Sequence, residues 1–138
     1  MTKISRFVYL AASSLFLIGV TLQVFLAGMV VVALQGGWAS HRDLGHTLAL
    51  PLLIMLVTAY LSRLPCNMKW LTWLIFGVYV IQADVIIFMR DSMPFVSAFH
   101  PVLALVDFVL AASLVYQAWK LVRNAREDRT APAELVKA

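Results

Sequence analysis

The chain has 138 residues, of which 62% are hydrophobic and only 13% are charged. A soluble domain carries about twice that charged fraction, so the composition excludes an ordinary soluble fold and indicates a single membrane domain. The net charge of +4 comes from cations beside apolar segments, which indicates contact with lipid headgroups and not with nucleic acid. The single cysteine, Cys66, excludes an internal disulfide, a CxxC redox pair and a cysteine-based zinc site.

Four apolar segments follow one another along the chain. Each is close to or above the roughly 20 residues that a membrane-crossing helix requires. The pattern predicts an all-α fold, a four-helix transmembrane bundle over residues 1–123, followed by a polar tail over residues 124–138. The four predicted spans cover residues 7–34, 41–61, 70–89 and 99–122.

Local signals mark several helix ends. Ser40 and Asp43 match a capping box, which predicts that the second helix begins at the residue after Ser40. Pro51 removes a backbone donor and predicts a kink in that helix, one turn below His46. Pro101 is tolerated only in a first helical turn, so the fourth helix should begin between Ser97 and the residue before the proline. No internal sequence repeat is evident.

Positive charge is distributed unevenly between the two ends of the predicted bundle. Only Arg42 and Arg90 lie in the two connections on one side, whereas nine lysines and arginines lie on the other side. By the positive-inside rule, both termini and the polar tail are expected in the cytoplasm. We therefore predict a multi-pass protein of the bacterial inner membrane, surrounded by the lipid bilayer.

The three histidines of the chain all lie near the external edge of the predicted bundle. A polar ring in hydrocarbon is costly without a partner, so helices that bring imidazoles to one layer indicate a shared site. The second and fourth helices both enter from outside, which places His46 and His100 within roughly 10 Å of depth of each other. We predict that these two histidines are the axial ligands of one haem b, held between facing helices.

Other side chains complete the predicted haem site. Arg42 and Arg90 are candidate partners for the propionates. Gln23 of the first helix is a candidate cofactor contact, because it lies on a stripe of small residues that permits close approach. His41 lies five residues before His46, about 140° around the helix, and is expected to be exposed and not to be a ligand.

Three alternatives to a haem are open at this point. In the first, each histidine caps a helix end and bonds a loop carbonyl or water. In the second, His41, His46 and His100 bind copper or zinc. In the third, Asp84 and Asp107 form a proton relay or ion site, because Asp107 lies on the same helix face as His100, two turns deeper.

Short motifs carry two resemblances. Residues 23–28 (QVFLAG), 41–46 (HRDLGH) and 100–102 (HPV) resemble a family of small four-helix bacterial membrane proteins of unassigned function, and this resemblance extends over residues 7–122. The arrangement is also similar to small four-helix haem proteins of the cytochrome b type, which use histidines on facing helices. The second resemblance implies electron transfer, and the histidines support at most one haem.

The leading functional prediction is a single-haem membrane protein that transfers electrons or serves as an accessory subunit of a larger membrane redox complex. The alternatives are a cofactor-free accessory subunit of a membrane complex and a small proton-coupled transporter. No Walker loop, HExxH, GxSxG or kinase-type motif is present, so no catalytic residue and no enzymatic activity is predicted.

Overall fold

The computed structural model describes residues 2–130 and the side chains of residues 3–125. It contains four helices that are long and apolar enough to cross a membrane, as predicted. The polar tail predicted from residue 124 continues the last helix to Thr130, and residues 131–138 lie outside the described residues. In chain order, span 1 is α1 (Thr2–Val31); span 2 is α2 (Trp38–Thr47) with α3 (Ala49–Leu61); span 3 is α4 (Cys66–Val80), a π-helical turn (Ile81–Val85) and α5 (Ile86–Phe88); α6 (Pro94–Ser97) is a short connecting helix; span 4 is α7 (His100–Thr130).

Successive spans run in opposite directions, so the bundle has two distinct ends. The histidine end contains residues 32–41 and 89–100, and the terminal end contains residues 62–66 with the start of α1 and the later part of α7. Span 1 packs against spans 2 and 4, and span 3 packs against spans 4 and 2. At the terminal end, Arg6 Nε donates to Ser62 O at 3.4 Å and joins spans 1 and 2.

The connection between spans 1 and 2 differs from the prediction. α1 ends at Val31, because Leu34 and Gly36 adopt left-handed φ angles of 53° and 75° that an α-helix does not contain. The next helix then begins at Trp38, three residues earlier than predicted. The predicted capping box is wrong, since Ser40 lies inside α2 and no described side chain caps this helix.

The other helix ends are closer to the predictions. α7 begins at His100, inside the predicted interval. Span 3 begins at Cys66, four residues earlier than predicted. Span 2 is interrupted at Leu48, between α2 and α3. This break lies three residues before Pro51, as expected of a proline that withdraws a donor from the preceding turn.

The burial pattern of the first hairpin (spans 1 and 2) repeats in the second hairpin (spans 3 and 4) at a constant offset of 59 residues. Few of the paired positions carry the same residue type, which explains why the sequence shows no evident repeat. The equivalent buried pairs include Tyr9 with Met68, Ser13 with Thr72, Phe16 with Ile75, Leu52 with Ala111, Met55 with Leu114, and Ala59 with Ala118.

One buried hydrogen bond between the hairpins gives a first prediction. The Tyr9 hydroxyl lies 2.7 Å from Thr72 Oγ1, and both side chains are fully buried. Tyr9→Phe should lower the free energy of unfolding by about 1 kcal/mol. The loss stays small because Thr72 Oγ1 still donates to Met68 O at 2.7 Å. Denaturant titration in detergent micelles measures the change.

The matched control is Tyr116→Phe, since Tyr116 is 68% exposed. This variant should unfold at the same denaturant concentration as the parent protein. Equal destabilisation by both variants would show that the Tyr9 hydrogen bond does not contribute as described.

Candidate histidine site at one end of the bundle

His41 and His100 meet at the histidine end. Their ring centroids are 6.0 Å apart with planes inclined by 63°, and both side chains are partly buried. Trp38 packs edge-on against His41 at 5.5 Å. The expectation that His41 is exposed is therefore wrong, because α2 begins a turn before His41 and directs this ring towards the neighbouring spans.

Each of the two imidazoles is held by a backbone carbonyl. Nδ1 of His41 lies 3.1 Å from Gln23 O, and Nδ1 of His100 lies 3.0 Å from Gln82 O. A carbonyl oxygen only accepts, so Nδ1 carries the proton in both rings. In a neutral ring with this proton, Nε2 has a free lone pair, which is the tautomer of a metal-binding histidine whose second nitrogen donates to a carbonyl.

The two holding contacts are equivalent under the 59-residue offset. Gln23 corresponds to Gln82 and His41 corresponds to His100, and the histidine lies 18 positions after the glutamine in each hairpin. Among the residues that are identical at this offset, glutamine and histidine are the only polar ones. This repeated spacing is the sequence signal that identifies His41, and an argument from helical phase alone missed it.

Deeper in the bundle, the carboxyl of Asp107 in span 4 is buried together with the amide of Gln82 in span 3. The Gln82 and Asp107 side chains meet at 2.6 Å between Nε2 and Oδ2; Asp107 is fully buried and Gln82 is 8% exposed. Gln82 Oε1 and Asp107 Oδ1 are also buried and have no hydrogen-bond partner among the described residues. The predicted orientation of Asp107 towards the bundle interior is confirmed.

Gln82 lies in the π-helical turn of span 3. At its end the N–H of Ile86 donates to Ile81 O, five residues earlier. Single π-helical turns inside α-helices are frequent at functional sites. No sequence pattern predicted this turn. Its effect is to bring one residue into contact with His100 through its backbone and with Asp107 through its side chain.

Gln23, a predicted cofactor contact, lies beside the histidine pair. Its backbone accepts from His41, and its Oε1 atom is buried without a partner among the described residues. Its Nε2 atom packs against Gly45, where an added Cβ would lie only 2.7 Å away. The backbone of Gly45 also accepts a 2.8 Å hydrogen bond from the Tyr79 hydroxyl, so a small residue here lets spans 1, 2 and 3 approach one another.

The two arginines predicted to bind propionates lie on the surface of the histidine end. Arg42 Nε is 3.3 Å from Asp43 Oδ1, and Arg90 Nε is 3.3 Å from Asp91 Oδ1. Both arginine side chains are 66% exposed. Exposed pairs of this kind contribute little stability, so both guanidinium groups can exchange their present partners for a ligand.

His46, the other predicted haem ligand, lies elsewhere on the surface. It is exposed and lines a shallow cavity of about 590 Å³ with Asp84 and Phe88. Asp84 is also exposed, so it faces away from the interior that Gln82 occupies. The side chains of residues 3–125 contain no group of three possible metal ligands, and the predicted copper or zinc site of three histidines is therefore not formed.

Comparison with known proteins identifies one similar family. Residues 23–86 match a family of unknown function, DUF6220. This segment is just under half of the chain; it includes His41, whereas His100 and Asp107 lie beyond it. The match agrees with the predicted resemblance to a family of unassigned function and does not extend to cytochrome b-type proteins. No curated protein and no solved structure matches the chain.

Proposed function

We propose that the protein binds one haem b through His41 and His100 and transfers single electrons at a membrane. The supporting observation is the geometry of the histidine pair. The ring centroids of His41 and His100 are 6.0 Å apart, and Nδ1 of each ring is held by a backbone carbonyl. His41 therefore replaces His46 as the second ligand in this proposal.

The number of protein ligands favours haem over a bare metal ion. A bound zinc ion takes three or four ligands from the protein, and residues 3–125 offer no such group. The porphyrin itself supplies the equatorial nitrogens of haem iron, which needs only axial ligands from the protein. A pair of neutral imidazoles meets that requirement.

The surroundings of the pair also suit a porphyrin. Trp38 is 53% exposed and contacts His41, and Phe99 is 48% exposed and precedes His100. Apolar side chains beside a few polar groups are typical of ligand sites. Arg42 of the same end supplies a charge for a propionate. Bound haem would supply one-electron chemistry. The hydrogen bonds from Nδ1 of each histidine to a backbone carbonyl would orient both ligands and raise their basicity.

The distribution of charge supports an orientation for this site. Most lysines and arginines lie at the terminal end, so we place both termini in the cytoplasm of a bacterial cell. The histidine pair then lies near the external face of the inner membrane. At that depth it can exchange electrons with a subunit of a larger membrane redox complex.

Absorption spectroscopy tests the proposed function directly. Protein produced with ample haem and purified in mild detergent should show a sharp α-band in the reduced-minus-oxidised spectrum. Extraction of the cofactor should give one haem b per chain. The control is the same purification from cells without the gene. Folded protein that lacks the band under these conditions would exclude the proposal.

A further inference from the structure

Among the described residues, the buried carboxyl of Asp107 bonds Gln82 and makes no hydrogen bond to either histidine of the pair. Its equivalent in the first hairpin, at the 59-residue offset, is Leu48, which is also buried at 6% exposure. The two positions have different neighbours, because Leu48 packs against Gly19, whose equivalent in the second hairpin is Val78. An ionisable group inside a membrane span is costly and is a functional candidate by default.

The elements packed around Asp107 supply no compensating cation. Within residues 3–125 no lysine or arginine lies within salt-bridge distance of it. α1 carries no ionisable side chain after Tyr9, and α3 carries none before Tyr60. Span 3 contributes the hydroxyl of Tyr79, which donates to Gly45 O at 2.8 Å, and His100 lies about two turns away on the same helix.

The contact with Gln82 suits both protonation states of the carboxyl. The closest atoms of the two side chains are 2.6 Å apart, with Gln82 Nε2 donating to Asp107 Oδ2, which is the arrangement for an ionised carboxylate. Amide nitrogen and oxygen exchange places by a simple flip. Protonated Asp107 would thus donate to Gln82 Oε1, an atom that otherwise has no partner among the described residues.

One residue connects this carboxyl to a proposed haem ligand. The backbone oxygen of Gln82 accepts from His100, and its side chain contacts Asp107. An electron added at the histidine pair brings negative charge close to the carboxyl. In a medium of low dielectric constant, that charge favours binding of a proton at the nearest acid.

We propose that Asp107 and Gln82 form a proton-binding site that takes up one proton when the iron held by His41 and His100 is reduced. This inference rests on the proposed haem ligation. Bound haem would supply the one-electron change, with the electron taken from an external one-electron donor and later given to an external acceptor. The Asp107 carboxylate would take one proton from water to become the carboxylic acid and would return it to water on oxidation.

Redox titration of the purified holoprotein at a series of pH values tests the proposal. The midpoint potential of the parent protein should fall by up to about 59 mV per tenfold decrease in proton concentration, which corresponds to one proton per electron. Asp107→Asn should make the potential independent of pH. Asp84→Asn, which changes an exposed acid of span 3, is the matched control and should keep the slope.

Infrared difference spectroscopy between the reduced and oxidised protein gives a second measurement. A carbonyl band of a protonated carboxyl should appear on reduction and disappear in Asp107→Asn. If that variant does not fold, Asp107→Leu, which copies the equivalent Leu48, takes its place.

The outcomes separate the two proposals. Protein without an α-band overturns the proposed function and this inference with it. Protein with the band but with a pH-independent potential overturns this inference alone. An Asp107→Asn or Asp107→Leu protein that keeps both the slope and the infrared band also overturns it.

Discussion

His41→Ala and His100→Ala should each abolish the haem α-band, whereas His46→Ala should leave it intact. The first two changes remove the rings whose centroids lie 6.0 Å apart, and one remaining imidazole cannot ligate the iron on both sides. His46 is exposed and lines a different cavity, beside Asp84. The three variants are matched, because each replaces one histidine near the same end of the bundle by the same small residue.

The measurement is the reduced-minus-oxidised spectrum of each variant at equal protein concentration, with helix content from circular dichroism as a check on folding. Added imidazole should restore part of the band in the two alanine variants that lose it, because it can occupy the vacated axial position. A spectrum lost in His46→Ala and kept in His41→Ala would support the ligand pair expected from helical phase instead.

Gln82→Leu should lower the free energy of unfolding by about 1–3 kcal/mol, because it leaves a buried carboxyl without its side-chain hydrogen-bond partner among the described residues. Asp107→Leu should cost a similar amount, since the Gln82 amide then loses its acceptor. The double variant should recover most of the loss, because removing both partners of a buried polar pair is close to neutral. Leu48 shows that a leucine packs at the equivalent position of the first hairpin.

Equilibrium unfolding of the four proteins in detergent gives the coupling energy of the pair through a double-mutant cycle. The control is Asn67→Ala, which removes an exposed 3.1 Å bond to Gln117 and should cause no measurable change. Strictly additive losses in the double variant would show that Gln82 and Asp107 do not stabilise each other.

Much of the fold follows from elementary properties of the sequence. The four spans can be recognised in the sequence, because long apolar segments in a chain with so little charge are typical of membrane-crossing helices. Pro101 fixed the start of the last helix, because proline is accepted only in a first turn. The seven-residue spacing between His100 and Asp107 indicated correctly that the acid faces the bundle.

The pairing of His41 with His100 could not be predicted by arguments of this kind. Helical phase implied correctly that His41 and His46 cannot face one site together, but it does not give the absolute rotation of α2. That rotation depends on contacts between spans, where His41 donates to Gln23 O and Gly45 accepts from Tyr79. The start of α2 depended in turn on the left-handed residues of the preceding loop.

The π-helical turn of span 3 could not be predicted from the sequence either. A single extra residue in one turn does not disturb the average apolar character of the segment, so the sequence pattern of residues 81–85 is that of an ordinary helix. Only the five-residue hydrogen bond between Ile86 and Ile81 reveals it. The two contacts of Gln82, with His100 through its backbone and with Asp107 through its side chain, are therefore seen only in the structure.

The correspondence between the two hairpins extends to the burial of their side chains and not to the polarity of those side chains. The buried residues Val20 and Leu48 of the first hairpin are matched at the same offset by Tyr79 and Asp107 of the second. The second hairpin thus carries a hydroxyl and a carboxyl where the first carries two aliphatic side chains. At these positions the two hairpins are equivalent in burial and differ in polarity, so a nearly symmetric scaffold has its ionisable groups on one side only.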